Sequence, residues 1–159
     1  MKVKSRHHLR SDEIRDLRET IATRAGVDLA GDAFEKVDLS ETKFDVVLVD
    51  GSPAVMFVDD DPFLTVTGAN DHPPTAHVVT VDSGAVSFVS GGADVMRPGI
   101  VGADEDIDEG DLVAIREETH GKVLAIGRAL VPGAEMLGDS GKVVESVHHV
   151  GDDLYDLSI

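Results

Sequence analysis

Two acidic stretches and seven histidines are the residues of this chain whose types could support catalysis or metal binding. Residues 59–61 (DDD) could hold a hard divalent cation, because such ions prefer clustered carboxylates, or could form a solvated turn. Residues 104–110 (DEDIDEG) are similar to a calcium loop but lack its central glycine and the spacing of its closing glutamate. His148 and His149 would point to opposite faces of a strand, which disfavours a metal shared by both.

Motifs for enzymatic chemistry are missing from the sequence. It contains no nucleophile elbow, phosphate-binding loop or dinucleotide fingerprint. It also contains no cysteine, which excludes disulfides, thiolate zinc sites and thiol nucleophiles. We therefore expect a protein that is not an enzyme and that uses no metal and no cofactor.

No apolar run approaches the roughly 20 residues of a membrane span, and no apolar segment follows the N-terminal bases. We expect a soluble cytoplasmic protein with no membrane partner.

Charge is distributed unevenly along the chain. With 31 acidic and 14 basic residues among 159, the net charge is −17. Residues 1–10 contain no acid and form a basic N-terminal arm, and the remaining residues carry 10 − 31 = −21. The bases of the arm are Lys2, Lys4, Arg6 and Arg10. Acids spread this evenly are typical of adaptation to very high salt, so we interpret the chain as halophilic and archaeal. The arm could track a phosphate backbone, form a disordered tail or form a first strand.

The elements of the first half follow from hydrophobic spacing. Ser11 is predicted as the N-cap of a helix that ends before Gly26. Residues 28–39 are ambiguous, with a short helix around 32–37 as one interpretation. Three strands are predicted, at residues 44–49, 54–58 and 63–67. Residues 68–74 form the clearest break, which places one domain at residues 1–72 and a second at 73–159.

The second half has short strands with little helix. A short helix is predicted at residues 83–90 and a tight turn at 97–100. Strands are predicted at residues 77–81, 112–116, 123–130, 142–148 and 154–157. Short strands separated by glycine turns favour a small β barrel, so the fold class of the whole chain is α+β.

Residues 81–100 are the most informative segment. A helix that opens at Gly84 and closes at Gly91 leaves unpaired backbone groups at both ends. Gly92 would allow a phosphate or another backbone to approach closely, and Arg97 precedes a Pro-Gly turn that fixes its direction. The same pattern also fits a helix cap and a tight turn that serve only the fold.

Four motifs together resemble a PUA domain over about residues 76–157. They are DSGAVSFV at 82–89, GGADVMRPGI at 91–100, EGDLV at 109–113 and GKVVESVH at 141–148. The closing segment, residues 141–155 (GKVVESVHHVGDDLY), resembles the malignant T-cell-amplified and translation machinery-associated family more specifically. The resemblance implies an α+β pre-PUA domain over residues 1–72, followed by a PUA β pseudobarrel with short helices over residues 73–159.

The resemblance also implies a function. It is non-catalytic binding of structured RNA, rRNA or tRNA, on or near the small ribosomal subunit in translation initiation or recycling, with an initiation-factor-like protein as a possible partner. The alternative is an RNA-binding accessory subunit of a tRNA- or rRNA-modifying enzyme, such as a transglycosylase or a pseudouridine synthase. Arg97 is the first candidate contact, and we expect Arg97→Ala to weaken RNA binding without changing the melting temperature. The candidate RNA-binding residues are Gly84, Ala85, Gly91, Gly92, Ala93, Met96, Arg97, Pro98, Arg128 and Lys142, with Lys2, Lys4, Arg6 and Arg10 of the arm.

Overall fold

The first half of the chain forms a five-stranded antiparallel sheet, in a computed structural model that describes residues 2–40 and 44–158. Each strand pairs with the next one along the chain, so the sheet is a meander. Its strands are β1 (Lys2–His8), β2 (Phe34–Ser40), β3 (Phe44–Val49), β4 (Ser52–Val58) and β5 (Asp61–Leu64). The basic arm is therefore the edge strand of this sheet, and all seven residues of β1 are exposed.

Helix α1 (Ser11–Ala25) connects β1 to β2 and packs one apolar face on the sheet. Its buried residues are Leu17, Ile21 and Ala25. The N-cap is Arg10 rather than the predicted Ser11, because the backbone N–H of Arg10 donates to the carboxylate of Glu13 at 3.0 Å. The helix ends at Gly26, whose φ of +66° is a left-handed conformation that glycine adopts without strain.

Two predictions in the first half are wrong. Residues 32–37 are not helical; they belong largely to β2, where Val37 and Leu39 are buried with the alternation of a strand. The strand predicted at 63–67 ends at Leu64. A short helix, α2 (Val66–Asp71), then occupies most of the predicted break because the hydroxyl of Thr65 caps it by accepting from the N–H of Gly68 at 2.9 Å.

The second half forms a six-stranded mixed sheet. Its strands are β6 (Val78–Val81), β7 (Val95–Met96), β8 (Ile100–Ala103), β9 (Leu112–Glu117), β10 (Val123–Ala129) and β11 (Lys142–His149). Their order in the sheet is β7-β11-β10-β9-β6-β8, and among the described strands only β6 and β9 pair in parallel. Between β6 and β7 lie a 3₁₀ turn (Ser83–Ala85) and helix α3 (Val86–Ser90). Residues 154–156 form a turn, and none of residues 154–157 forms the predicted last strand.

The two sheets share a hydrophobic cluster, in which buried residues of α1 and the first sheet pack with Leu112, Val123 and Leu154. A second cluster lies within the six-stranded sheet and α3. The side chain of Asn70 also joins the halves, since it donates to the carbonyl of Val123 at 3.0 Å and accepts from the N–H of Val123 at 2.8 Å. The expected α+β class is confirmed. Within the described parts of the chain, no helix is both long and apolar enough to cross a membrane.

Candidate nucleic-acid interface

A mostly apolar groove of about 430 Å³ lies between α3 and the chain that follows it, β7 and a 3₁₀ turn at Arg97–Gly99. It is lined by Asp82, Gly84, Ala85, Phe88, Val89, Ala93, Asp94, Val95, Met96, Pro98 and Gly99. Five of the predicted site residues are in this lining: Gly84, Ala85, Ala93, Met96 and Pro98. The structure therefore brings together predicted site residues from before and after α3, of which Gly84 and Pro98 are 14 positions apart.

Local chemistry explains why the chain adopts this shape. The carboxylate of Asp82 accepts from the N–H of Ala85 at 3.0 Å, which caps the 3₁₀ turn on one side of the groove. Val89 and Val95 are 2% exposed and attach both walls to the core of the second sheet. Pro98 lies in the first turn of the opposite 3₁₀ segment, where its missing N–H is not needed.

Two large apolar side chains stand open to solvent at the groove. Phe88 is 68% exposed and Met96 is 49% exposed, and both line the groove. Exposed apolar side chains that share one groove mark binding sites. Sequence reasoning missed Phe88 as a site residue. The available signal was an aromatic residue in a five-residue helix whose neighbour, Val89, serves the core.

Comparison with known proteins identifies the second half of the chain. The PUA domain family matches residues 77–151, which contain the whole groove. The chain is 30% identical to translation machinery-associated protein 20 of Saccharomyces cerevisiae over 126 residues, covering 75% of this chain and 70% of the yeast protein. The chain belongs to the translation machinery-associated protein 20 family of PUA-domain proteins.

Archaeal relatives extend the match to both halves. An uncharacterized protein of Methanocaldococcus jannaschii is 41% identical over 114 residues, which cover 71% of this chain and 70% of that protein. A crystal structure of a hypothetical protein from Pyrococcus horikoshii is 31% identical, has a TM-score of 0.84, and covers 96% of this chain and 98% of its own. A conserved PUA-domain protein of Thermoplasma acidophilum is 28% identical with a TM-score of 0.81 and has the same coverage. The resemblance inferred from the motifs is confirmed.

The glycine pair that follows α3 lies behind the PUA groove and not in its lining. Gly92 has φ of +94°, and a Cβ there would be 2.7 Å from Nε2 of His149. His149 is held in place because its Nδ1 lies 3.0 Å from the carbonyl oxygen of Ser90. Gly92 thus allows α3 to turn back against β11, and Gly91 is the C-cap of that helix. Gly91 and Gly92 therefore affect the shape of the groove through the packing of α3 on β11, without lining the groove.

Arg97 uses its guanidinium to hold a neighbouring loop. Nε donates to the carbonyl of Glu135 at 2.9 Å, and Nη1 donates to the carbonyl of Ser140 at 3.0 Å. The backbone N–H of Arg97 also donates to the carbonyl of Gly141 at 2.9 Å. Both ends of the 135–141 segment are therefore tied to the turn that forms one wall of the PUA groove. The guanidinium itself does not line the groove.

The other two predicted bases of the PUA domain pair with acids. The ammonium of Lys142 lies 3.4 Å from the carboxylate of Asp94 and remains half-exposed beside the groove. Arg128 donates to the carbonyl of Gly110 at 2.6 Å and lies 3.5 Å from Asp61 of the first sheet. Lys142 is thus close to the groove through Asp94, whereas Arg128 belongs to the contact between the two sheets.

The basic arm is partly neutralised in β1 and at the start of α1. Arg6 pairs with Glu35 of β2 at 2.5 Å, and its hydrogen bond holds the pKa of that carboxyl below its usual range. Arg10 pairs with Asp12 at 3.2 Å. Lys2 and Lys4 form no ion pair with any residue in the described ranges 2–40 and 44–158. These two lysines are the bases of the arm that stay available to an anion.

The acidic stretches serve structural roles. Asp59 and Asp60 have positive φ and form the β4–β5 turn, while Asp61 pairs with Arg24 and Arg128. In the 104–110 stretch, the carboxylate of Asp104 accepts from the N–H of Val78 at 2.9 Å. Across the described part of the chain, no three His, Asp or Glu side chains are arranged to hold a metal ion.

Proposed function

We propose that this protein is a non-catalytic RNA-binding factor of the translation machinery that holds an unpaired nucleotide of a structured RNA in its PUA groove. The observation that carries the proposal is the exposed ring of Phe88 beside an apolar groove inside the PUA domain. Proteins recognise single-stranded RNA by stacking splayed bases on aromatic side chains, and the groove offers such a platform.

Charge supports recognition of a base rather than of the phosphate backbone. None of the eleven lining residues is basic, and two are acidic. In molar salt the release of counterions adds little to affinity, so a halophilic protein loses little by lacking a broad basic face. Stacking of a base on Phe88 does not depend on charge. Binding through stacking therefore suits an acidic protein in concentrated salt.

Contacts with the phosphate backbone of the RNA are assigned to the few basic side chains that remain exposed. Lys142 stands beside the groove, and Lys2 and Lys4 line the exposed edge of the first sheet. We propose that Lys142 touches a phosphate next to the bound base and that the two arm lysines touch a more distant part of the RNA. Arg97 contributes indirectly, because it holds the segment from Glu135 to Ser140 against the groove wall.

The link to translation rests on the relatives, whose names describe them as associated with the translation machinery. We propose that the bound RNA is rRNA or tRNA, that the site of action is the small ribosomal subunit in the cytoplasm, and that an initiation-factor-like protein is a partner. A PUA domain equally suits an accessory subunit of an RNA-modifying enzyme, so the experiment below is designed to separate the two functions.

Gradient sedimentation at native salt tests this function. Epitope-tagged protein is expressed in the source cells, and lysates are run with and without ribonuclease, alongside the Phe88→Ala variant. We expect the wild-type protein to sediment with the small subunit, and ribonuclease or Phe88→Ala to move it to the top of the gradient. Wild-type protein that stays at the top, or that co-purifies with a modifying enzyme instead, would refute the ribosomal assignment.

A further inference from the structure

The two acidic residues of the PUA groove are held in a fixed orientation. Oδ1 of Asp82 accepts from the N–H of Ala85 at 3.0 Å, and Oδ1 of Asp94 accepts from the N–H of Ser146 at 2.8 Å. Each carboxylate is thus fixed by one backbone donor and keeps a second oxygen. Both residues are half-buried and both line the groove with Phe88.

The second oxygens of these carboxylates have unused capacity to accept hydrogen bonds. Oδ2 of Asp82 has no partner within the described residues, and Oδ2 of Asp94 lies 3.4 Å from the half-exposed ammonium of Lys142. A carboxylate oxygen has two lone pairs, so Oδ2 of Asp94 can accept a further donor. The groove therefore combines an apolar stacking surface with two oriented acceptors, and it contains no basic side chain.

This combination determines which ligand groups the groove favours. Phosphate is repelled by both carboxylates, so the backbone of an RNA must run outside. Adenine, cytosine and guanine each carry an exocyclic amino group that can donate to a carboxylate, as in the pairing of acidic side chains with the amino group of cytosine. Uracil has no amino group; its one N–H donor lies between two carbonyl oxygens, which would face the negative charge of any carboxylate that accepts from it.

We propose that the PUA groove selects a nucleobase with an exocyclic amino group and disfavours uracil, with Asp82 and Asp94 as the specificity-determining residues. This inference rests on the proposed RNA-binding function and adds the class of base. The base stacks on Phe88 while its amino group donates to Oδ2 of Asp94 or Asp82. Lys142, beside Asp94, then meets the phosphate of the same nucleotide.

Fluorescence anisotropy with four labelled RNA heptamers, UUUNUUU with N as A, C, G or U, tests the selection in 2 M KCl. For the wild-type protein we expect the A, C and G heptamers to bind about tenfold more tightly than the U heptamer, the effect of one charge-assisted hydrogen bond. Equal dissociation constants for all four RNAs would overturn this inference while leaving the proposed function intact. Failure of every heptamer to bind would refute both.

Isosteric variants locate the selection. In Asp94→Asn the amide oxygen can still accept from Ser146, and the former Oδ2 becomes an N–H donor that repels amino groups and attracts uracil carbonyls. We expect Asp94→Asn and Asp82→Asn each to reduce the tenfold preference to threefold or less. Asp59→Asn makes the same charge change in a remote exposed turn and should preserve the preference. Thermal melts followed by circular dichroism establish that each variant is folded at the assay temperature. A preference unchanged in both folded groove variants would overturn the assignment.

Discussion

Replacing Phe88 by alanine separates the binding role of this side chain from its contribution to folding. Full removal of a buried phenylalanine costs about 3–5 kcal/mol, but Phe88 is 68% exposed, so roughly a third of that value, about 1–1.7 kcal/mol, applies. For a chain of this length, such a loss lowers the melting temperature by about 2–7 °C. The variant should therefore remain folded at room temperature.

The expected effect of the same substitution on RNA binding is larger. Stacking of one base on an aromatic side chain is worth about 1–3 kcal/mol, which corresponds to a roughly 5- to 150-fold weaker dissociation constant. Anisotropy titrations of the A-containing heptamer in 2 M KCl measure this change, because high salt suppresses the contribution of phosphate contacts. Phe88→Tyr keeps the ring and should bind within about threefold of the wild-type protein.

Tyr155 provides the matched control, since it is an aromatic residue that is 40% exposed and lies outside the groove lining. Tyr155→Ala should leave the dissociation constant within about twofold of the wild-type value. The reasoning is refuted if Phe88→Ala binds as tightly as the wild-type protein, or if Tyr155→Ala weakens binding as much as Phe88→Ala. Either result would place the RNA on another surface of the protein.

Four further predictions concern stability. The melting temperature should fall as KCl decreases from 2 M to 0.1 M, because the Debye length grows to about 10 Å and the acidic side chains behind the net charge of −17 repel one another more strongly. A constant melting temperature would contradict halophilic adaptation. Asn70→Ala and Asn70→Asp should each lower the free energy of unfolding by about 2 kcal/mol in urea titrations, because a backbone group of Val123 in β10 loses its partner. A change below about 0.5 kcal/mol would contradict the link between the sheets. Arg97→Ala should lower the melting temperature, unlike the sequence-based expectation, because two carbonyls lose a charged donor; an unchanged value would show that the loop does not need this contact. Burial raises the pKa of Asp152, but its bonds to His148 and to backbone N–H groups lower it more, so the net pKa is depressed. The ionised carboxylate of Asp152 therefore stabilises the fold above its unfolded pKa of about 4, and this stabilisation is lost as the pH falls through the folded pKa. Thermal melts from pH 3 to 6 should show that the difference in melting temperature between the wild-type protein and Asp152→Asn shrinks at low pH. A difference that stays constant would contradict this prediction.

Local signals accounted for most of the secondary structure. Spacing of apolar residues predicted α1 and the strands at 44–49, 112–116 and 142–148, which agree with β3, β9 and β11 to within one residue, because each has the period of its own element. The prediction of a helix around residues 32–37 failed because charged and apolar residues alternate only weakly there. Pairing with β1 and β3 is what makes this segment a strand. Residues 154–157 have strand-like composition, but the described strands offer them no ladder to join.

The candidate site was predicted in part. The motif around residues 82–100 indicated the groove, and five predicted residues line it. The roles of the bases could not be read from the sequence, because the partners of a long side chain are chosen by the fold. Arg97 contacts carbonyls about 40 positions away, and Arg128 contacts an acid 67 positions away. Phe88 and Asp94 became visible only when exposure and backbone partners were known.

The sequence by itself determined the family, the α+β class, the acidic surface and the place of the groove in the chain, because these depend on composition, local periodicity and motifs. Only the tertiary structure decided the character of the groove. It showed that Arg97 and Arg128 are held by other parts of the fold, that the lining is apolar and acidic, and that an aromatic ring stands exposed beside two oriented carboxylates. The physical reason is that exposure and hydrogen-bond pairing depend on residues distant in the chain, which meet only after β7, β10 and β11 have joined one sheet.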